Sequence, residues 1–330
     1  MRSYTVTSTE AGQRFDKFLK KYLDRAPSSF LYRMLRKKNI VLNGKKSIGS
    51  EKLEVGDEIK FFLAEDTITS FQGQKAAFDD LPDYPLDIIF ENKDLLIINK
   101  PVGMLSQKAK NEDRSLNEYM IAYLLRSGAI SREGLVSFRP SVCNRLDRNT
   151  SGMVLAGKSI KGLQLMGDLL QKRDLGKYYL CLVSGVMKDA GYVSGYLRKD
   201  KKTNKVTIRQ EAIENSEKIE TSYEPLGNNG RISLLCVHLI TGKSHQIRAH
   251  LSSLGHPIVG DHKYGNRKAN EYFEKQYYLK HQLLHAWKLT FPDFEGMFPD
   301  LAGRSVYAPL PDKFREIVIK EGMEGFLNNG

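Results

Sequence analysis

Apolar positions along the chain alternate between helical and strand spacing, and they separate a short head from a long body. From Gln13 to Leu23 the apolar residues Phe15, Phe18, Leu19 and Tyr22 recur as one face of a helix. Pro27-Ser28-Ser29 predicts the start of a second helix with serine as its cap, carrying Leu31, Met34 and Leu35 on one side. Ile40-Val41-Leu42 reads as a short strand, Asn43-Gly44 as a hairpin turn, and Val55 to Phe61 as a second strand. Periodicity then stops. Between Ala64 and Pro85 the residues Thr67, Ser70, Gln72, Gly73, Gln74, Asp79, Asp80 and Pro82 predict a linker, semi-extended near its prolines.

In the body, Asp87 to Glu91 and Leu95 to Asn99 predict two strands around an Asn92-Lys93-Asp94 turn, and Lys100-Pro101 breaks the ladder. Leu116 to Leu125 predicts a helix, Met153 to Ala156 a buried strand, and Ile160 to Lys172 another helix. Gly176 to Val183, Ile219 to Glu224 and Arg231 to Ile240 read as strands, the last two paired around Gly227-Asn228-Asn229-Gly230. Ile247, Leu251 and Leu254 have helical spacing, ended by Gly255. Leu283 to Trp287 reads as a strand and Leu310 to Lys320 as a closing helix. The run from Arg198 to Arg209, with Lys199, Lys201, Lys202 and Lys205, reads as a solvated basic loop.

Composition narrows the class. The 330 residues allow about two domains, and a net charge of +12 points to a polyanionic partner, nucleic acid first. The three cysteines, Cys143, Cys181 and Cys236, are scattered without a C-x-x-C pair, as expected of reduced thiols in a cytoplasmic protein. No transmembrane-length apolar run and no signal-peptide core appear, so no membrane partner is expected.

The chemistry concentrates in Ser141-Val142-Cys143-Asn144-Arg145-Leu146-Asp147-Arg148-Asn149-Thr150-Ser151-Gly152. Asp147 stands between two arginines, followed by a polar turn from Asn149 to Gly152. Opposite charge favours an ionised carboxylate, available as nucleophile or base, and arginines suit phosphate or carboxylate. An isolated aspartate in a turn more often caps backbone amides. Gly152 to Ser159 also matches the phosphate-loop pattern G-x-x-x-x-G-K-S. Its variable positions are all apolar and no strand precedes it, so the match is read as chance and no nucleotide cofactor is expected. The histidines His245, His250, His256, His262, His281 and His285 lack the companion Glu or Cys of familiar zinc motifs, so no metal is expected.

The string Arg145-Leu146-Asp147-Arg148-Asn149-Thr150-Ser151-Gly152 resembles the signature of the RluA-type RNA pseudouridine synthases, in which the central aspartate is catalytic. The family usually has histidine at the position of Asn144, a departure that bears on substrate choice more than on chemistry. Ile97-Ile98-Asn99-Lys100-Pro101-Val102-Gly103 resembles the family's first motif, and His245-Gln246-Ile247-Arg248 its third, where the arginine pairs with the catalytic aspartate. His256 to Gly265 and Leu283 to Trp287 continue the likeness. Arg14 to Leu19, the basic second helix and the Val41 to Gly44 hairpin resemble the αL RNA-binding module named after ribosomal protein S-four.

The resemblance implies an α+β fold: an αL domain over 1–65, a linker over 66–85, a catalytic domain over 86–322 on a mixed, largely antiparallel sheet flanked by helices, and a tail over 323–330. It implies isomerisation of specific uridines in RNA to pseudouridine on a flipped-out nucleotide, with bacterial large-subunit ribosomal RNA favoured and transfer RNA the alternative. No cofactor is expected, since the base leaves ribose through nitrogen and rejoins through carbon five without redox. Nothing demands an oligomer, so a monomer is expected. Asp147 would be nucleophile or base, Arg248 its ion-pair partner, and Tyr179 the tyrosine packing on the base, with Tyr178 a packing residue on the opposite face. Arg145 would bind the rearranged RNA, Leu146 and Ile247 would form apolar walls, and Arg33, Arg36, Lys37 and Lys38 would hold phosphates. Two other classes remain: a non-catalytic RNA-binding factor, supported by head and charge, and a phosphate-loop NTPase resting on Gly152 to Ser159 alone.

Overall fold

The computed structural model describes all residues except 8–9, 73–82, 111, 133, 201–204, 295–297 and 326–330. Gly73, Gln74, Asp79, Asp80 and Pro82 of the expected linker, Lys201 and Lys202 of the basic run, and most of the expected tail lie outside the described residues. The head comprises β1 (Arg2–Thr5), α1 (Phe15–Tyr22), α2 (Ser28–Arg36), β2 (Ile40–Leu42), β3 (Glu58–Phe61) and α3 (Glu65–Phe71). The body follows as β4 (Ile88–Glu91), β5 (Leu95–Lys100), α4 (Leu116–Arg126), α5 (Gly134–Ser137), β6 (Ser141–Val142), β7 (Ser151–Gly157) and α6 (Ile160–Lys172). It continues with β8 (Gly176–Ser184), β9 (Gly191–Lys199), β10 (Val206–Arg209), β11 (Glu217–Asn228), β12 (Ile232–Leu239) and α7 (Gln246–Ser253). The last elements are α8 (Arg267–Tyr277), β13 (Leu284–Thr290), β14 (Ser305–Tyr307) and α9 (Asp312–Lys320).

Two compact units result: Met1–Ile97 with Gln107–Asn144 and Leu155–Gly167, and Ile98–Ser106 with Arg145–Val154 and Asp168–Gly330. The first joins the head to segments from further along the chain. Its head sheet has the order β1-β3-β2, and Phe15, Phe18, Leu19, Leu31, Leu35, Ile40 and Phe61 close over one another as its core. The Ser137 hydroxyl ties the head to α5 by accepting from Tyr4 at 2.9 Å and donating to Glu10 at 2.7 Å. Two expectations change here. Pro27 is the N-cap of α2 and no side chain caps it, so Ser28 is the first helical residue. The expected linker opens with α3, which buries Ile68 in the head core.

In the second unit the strand order runs β10-β9-β11-β12-β8-β13-β7. Its pairings are antiparallel, except for the parallel contact of β13 with β7 at His285↔Ser151 and Ala286↔Gly152. The fold is α+β, its sheet mixed and mostly antiparallel. Strand alternation gives the sheet two different faces. On one, Leu180, Leu182, Ile232 and Leu234 pack against Phe273 and Tyr277 of α8 and Phe314, Ile317 and Val318 of α9. The other carries Tyr179, paired with Val237 of β12 and Ala286 of β13. There Ala249 of α7 packs with Leu197, Val206 and Ile219. The basic run expected as a loop is thus a hairpin through its described residues, with Val206↔Lys199 through Arg209↔Tyr196 in register. Gly152 lets β7 approach β13: at φ +108° it lies in glycine's territory, and a Cβ there would stand 2.2 Å from the Ala286 carbonyl oxygen.

Candidate active site

The turn that bears Asp147 is held from both sides. The Thr150 amide donates to the Asp147 carbonyl at 3.0 Å, and β7 begins at the next residue. The polar turn therefore ends before Ser151 and Gly152, which are strand residues and not the turn expected of them. Upstream, Ser106 clamps Leu146 by donating to its carbonyl at 3.1 Å and accepting from its amide at 3.0 Å. The Thr150 and Ser151 hydroxyls meet Gln282 Nε2 at 3.2 Å and His285 Nδ1 at 2.9 Å. Lys100, fully buried at the end of β5, donates through Nζ to the carbonyls of Pro101, Met104 and Arg148 at 2.9, 2.8 and 3.1 Å. Burial pushes this ammonium down to about 7, while the charge of Asp147 pulls it the other way. Lys100 thus fastens the loop after β5 to the turn of Asp147.

The opposing wall comes from α7. Gln246 sets the loop ahead of it: its side-chain oxygen accepts from Thr241 Oγ1 at 2.8 Å and the Lys243 amide at 3.1 Å, and its nitrogen donates to the Glu220 carbonyl at 2.9 Å and Thr221 Oγ1 at 3.0 Å. Arg248, two residues into the helix, reaches Asp147 Oδ2 through Nη1 at 2.7 Å. Its other edge is taken by Asp261, with Nε to Oδ2 at 2.7 Å and Nη2 to Oδ1 at 2.9 Å. The guanidinium therefore bridges two carboxylates, one closed off at 0% side-chain exposure and one open at 25%. Burial opposes the Asp261 charge, but the hydrogen bonds and charge of Arg248 and the amides of Lys263 and Tyr264 outweigh it, leaving its pKa below the usual carboxylate value. Burial likewise opposes the Arg248 charge, and the two carboxylates more than compensate.

Tyr179 lies on the sheet face that carries α7, and its hydroxyl is pushed above the ordinary phenol range by burial and then by the charge of Asp147. Tyr178 faces the other way, stacked on His238 at a centroid distance of 4.6 Å. Leu146 and Ile247 are both buried. Arg145 and Arg148 are exposed. Asn144, in the first unit, accepts from the Leu155 amide at 2.7 Å and so braces β7. Arg33 and Arg36 on α2, and Lys37 and Lys38 after it, are exposed residues of the first unit. The phosphate-loop match is buried strand β7, and its Lys158 is held by Glu91 Oε1 at 2.6 Å and the Asn92 carbonyl at 2.9 Å. Among the described residues no group of three or more His, Cys, Asp or Glu side chains could hold a metal ion, and no helix is long and apolar enough to cross a membrane.

Sequence reading missed Asp261, His245 and Tyr264 as parts of this site. One signal was available for Asp261: an acid directly after the apolar Ile258-Val259-Gly260 must find a buried partner.

Comparison with known proteins bears on this geometry. The family model described as RNA pseudouridylate synthase matches residues 94–253. An uncharacterized RNA pseudouridine synthase of Mycoplasma genitalium is 30% identical over 311 residues, covering 92% of this chain and 93% of the relative. The ribosomal large subunit pseudouridine synthase C of Escherichia coli is 30% identical over 304 residues, 87% of each chain. Among solved structures, the human RNA pseudouridylate synthase domain containing 4 aligns with a TM-score of 0.57 at 23% identity, covering 71% of this chain and 92% of that one, a likeness of fold.

Proposed function

Because the chain belongs to the RNA pseudouridine synthase family, we propose that it isomerises uridines of large-subunit ribosomal RNA, with Asp147 as the reacting carboxylate. The observation that carries the assignment of Asp147 is its 2.7 Å ion pair with Arg248, which brings together two motifs 101 residues apart in sequence. Asp147 is the more open of the two carboxylates on that guanidinium, so it is the one a nucleotide can reach. It acts as nucleophile at the ribose or as base, and Arg248 holds it in place.

A uridine within a stack has to leave it before ribose carbons meet a side chain, so the target is flipped out. Tyr179, beside Asp147 on the sheet face that carries α7, packs on the everted base. Arg145, exposed at the same turn, contacts the rearranged RNA. Leu146 and Ile247 act as apolar backing. Arg33, Arg36, Lys37 and Lys38 serve as phosphate contacts of an αL-type head, a sequence-independent hold whose strength falls with salt. The protein works on cytoplasmic RNA as a monomer, without a cofactor, because the uracil that leaves is the uracil that returns.

The test is tritium release from RNA transcribed with uridine labelled at carbon five. Asp147→Asn is expected to abolish release while filter binding of the same RNA survives. Release by the purified variant at the wild-type rate would remove Asp147 from the reaction. Binding without release by the wild-type protein would instead favour a non-catalytic RNA-binding factor.

A further inference from the structure

We propose that His245 is a substrate-contacting hydrogen-bond donor beside Asp147, and that Tyr264 is the positioning residue that fixes which ring nitrogen carries its proton. The proposal rests on the reading of Asp147 as the reacting carboxylate. His245 is the N-cap of α7 and sits in the left-handed backbone region at φ +57°, with its side chain capping nothing. Such a conformation outside glycine persists when its surroundings impose it, here through the four bonds of Gln246. The ring faces the open carboxylate.

Hydrogen-bond accounting then assigns the proton. The Tyr264 hydroxyl accepts from the Val206 amide at 2.9 Å and lies 2.9 Å from His245 Nδ1. A phenol has a single hydrogen to give. The amide can only donate, so it takes an acceptor position of the phenol and leaves the hydroxyl hydrogen available to Nδ1; we assign it there, with the neutral ring carrying its own hydrogen on Nε2. That nitrogen stands 4.0 Å from Asp147 Oδ2. This is too long for a direct hydrogen bond, and it leaves Nε2–H free for an oxygen of a nucleotide seated at Asp147. The groups facing the ring keep it neutral. Burial lowers its proton affinity, Asp147 opposes this, and the cations of Arg248, Lys263 and Lys199 reinforce it, with Tyr264 completing the surround. Val206 opens β10, so the same hydroxyl links the basic β9–β10 hairpin to the site. The ligand chemistry is an acceptor oxygen of the target nucleotide, either a uracil carbonyl or the ribose 2′-hydroxyl.

Nitrogen-15 NMR of the labelled full chain reads the tautomer without any substrate. A bare Nδ1 and a protonated Nε2 are expected, with the preference lost in Tyr264→Phe; a protonated Nδ1 in the wild type would overturn the assignment. His245→Asn suits the second measurement, because asparagine tolerates left-handed backbone. With a labelled large-subunit ribosomal RNA transcript, its single-turnover tritium release is expected to fall about tenfold to a hundredfold while RNA binding is retained. An unchanged rate would overturn the contact even if the tautomer is as assigned. Transcripts carrying 2-thiouridine, 4-thiouridine or 2′-deoxyuridine distinguish the three acceptors: the modification that slows the wild type but not His245→Asn identifies the oxygen. A wild-type protein inert on ribosomal and transfer RNA transcripts alike would defeat the functional reading itself and the contact with it, and the tautomer measurement would still report on the ring.

Discussion

Arg248 can serve Asp147 because its remaining hydrogen-bonding edge is already committed. A lone guanidinium on α7 could swing among rotamers, whereas the bidentate hold of Asp261, at 2.7 and 2.9 Å, leaves Nη1 aimed at Asp147. Removing one partner of a buried ion pair costs about 3–5 kcal/mol where the other charge is left uncompensated, and less here because Arg248 keeps Asp147. Asp261→Asn is therefore expected to lower the urea midpoint and, under single-turnover conditions, to reduce the rate of isomerisation more than the affinity for RNA. A variant that loses RNA affinity alone, with its rate intact, would show that Asp261 does not act through Arg248. At this scale the sequence revealed only part of the site. Asp147 and Arg248 were legible as an ion pair because the resemblance of their motifs itself pairs them. Asp261, His245 and Tyr264 were not, because what gives them meaning is direction: which edge of a guanidinium is taken, and which ring nitrogen is covered. Those facts depend on how the Gly260 loop meets α7, and spacing along the chain does not encode that meeting.

At the level of elements, the strand that follows Asp147 has its position dictated by one backbone approach. Gly152 pairs with Ala286 in the parallel contact of β7 and β13, and an added Cβ would lie 2.2, 2.6 and 2.7 Å from the oxygen, nitrogen and carbonyl carbon of Ala286. These are backbone atoms and cannot rotate aside. Gly152→Ala is expected to destabilise the protein by about 3 kcal/mol or more, through the clash and the positive φ together. A thermal midpoint equal to that of the wild type would mean that the two strands do not meet there. Elements with an apolar stripe were legible: Leu116 to Leu125 became α4, one residue longer, and Ile160 to Lys172 became α6 with the same bounds. Others were hidden by charge. In α8 the buried anchors are Phe273 and Tyr277 alone, on an otherwise polar helix, although Asn266 caps it by accepting from the Ala269 amide at 3.1 Å. The β9–β10 hairpin was read as a loop because its lysines and arginines mask the alternation that buries Leu197 and Val206. The phosphate-loop match shows the reverse case: six of the eight positions that fit a motif lie in a buried strand, because apolar neighbours decide what the backbone does.

For the molecule as a whole, the response to acid follows from bases buried without their protons. His250 and His285 are fully buried, and burial pushes each down to about 4. In the unfolded chain a histidine takes up its proton near pH 6.5. Between about pH 6.5 and pH 4, then, the unfolded state binds protons that the folded state refuses, and stability must fall as pH falls through that window. Each histidine contributes a slope of up to about 1.4 kcal/mol per pH unit. Lys100 has the same sign in a different window. With burial holding it at about 7 in the fold, the unfolded chain binds more protons above that pH, so Lys100 makes stability rise from there to about pH 8.5, beyond which the thiols of Cys143, Cys181 and Cys236, pushed up by burial, act with the opposite sign. Urea midpoints followed by circular dichroism at constant ionic strength are expected to climb between pH 4 and pH 6.5 and to climb again between pH 7 and about pH 8.5. In His285→Gln, whose amide can still meet Ser151, the lower climb is expected to be shallower. A wild-type midpoint that stays level from pH 4 to pH 6.5 would mean that these imidazoles take up protons inside the fold, and that burial does not hold His285 neutral against its hydrogen bond to the Ala308 carbonyl at 3.3 Å, which favours the charged ring.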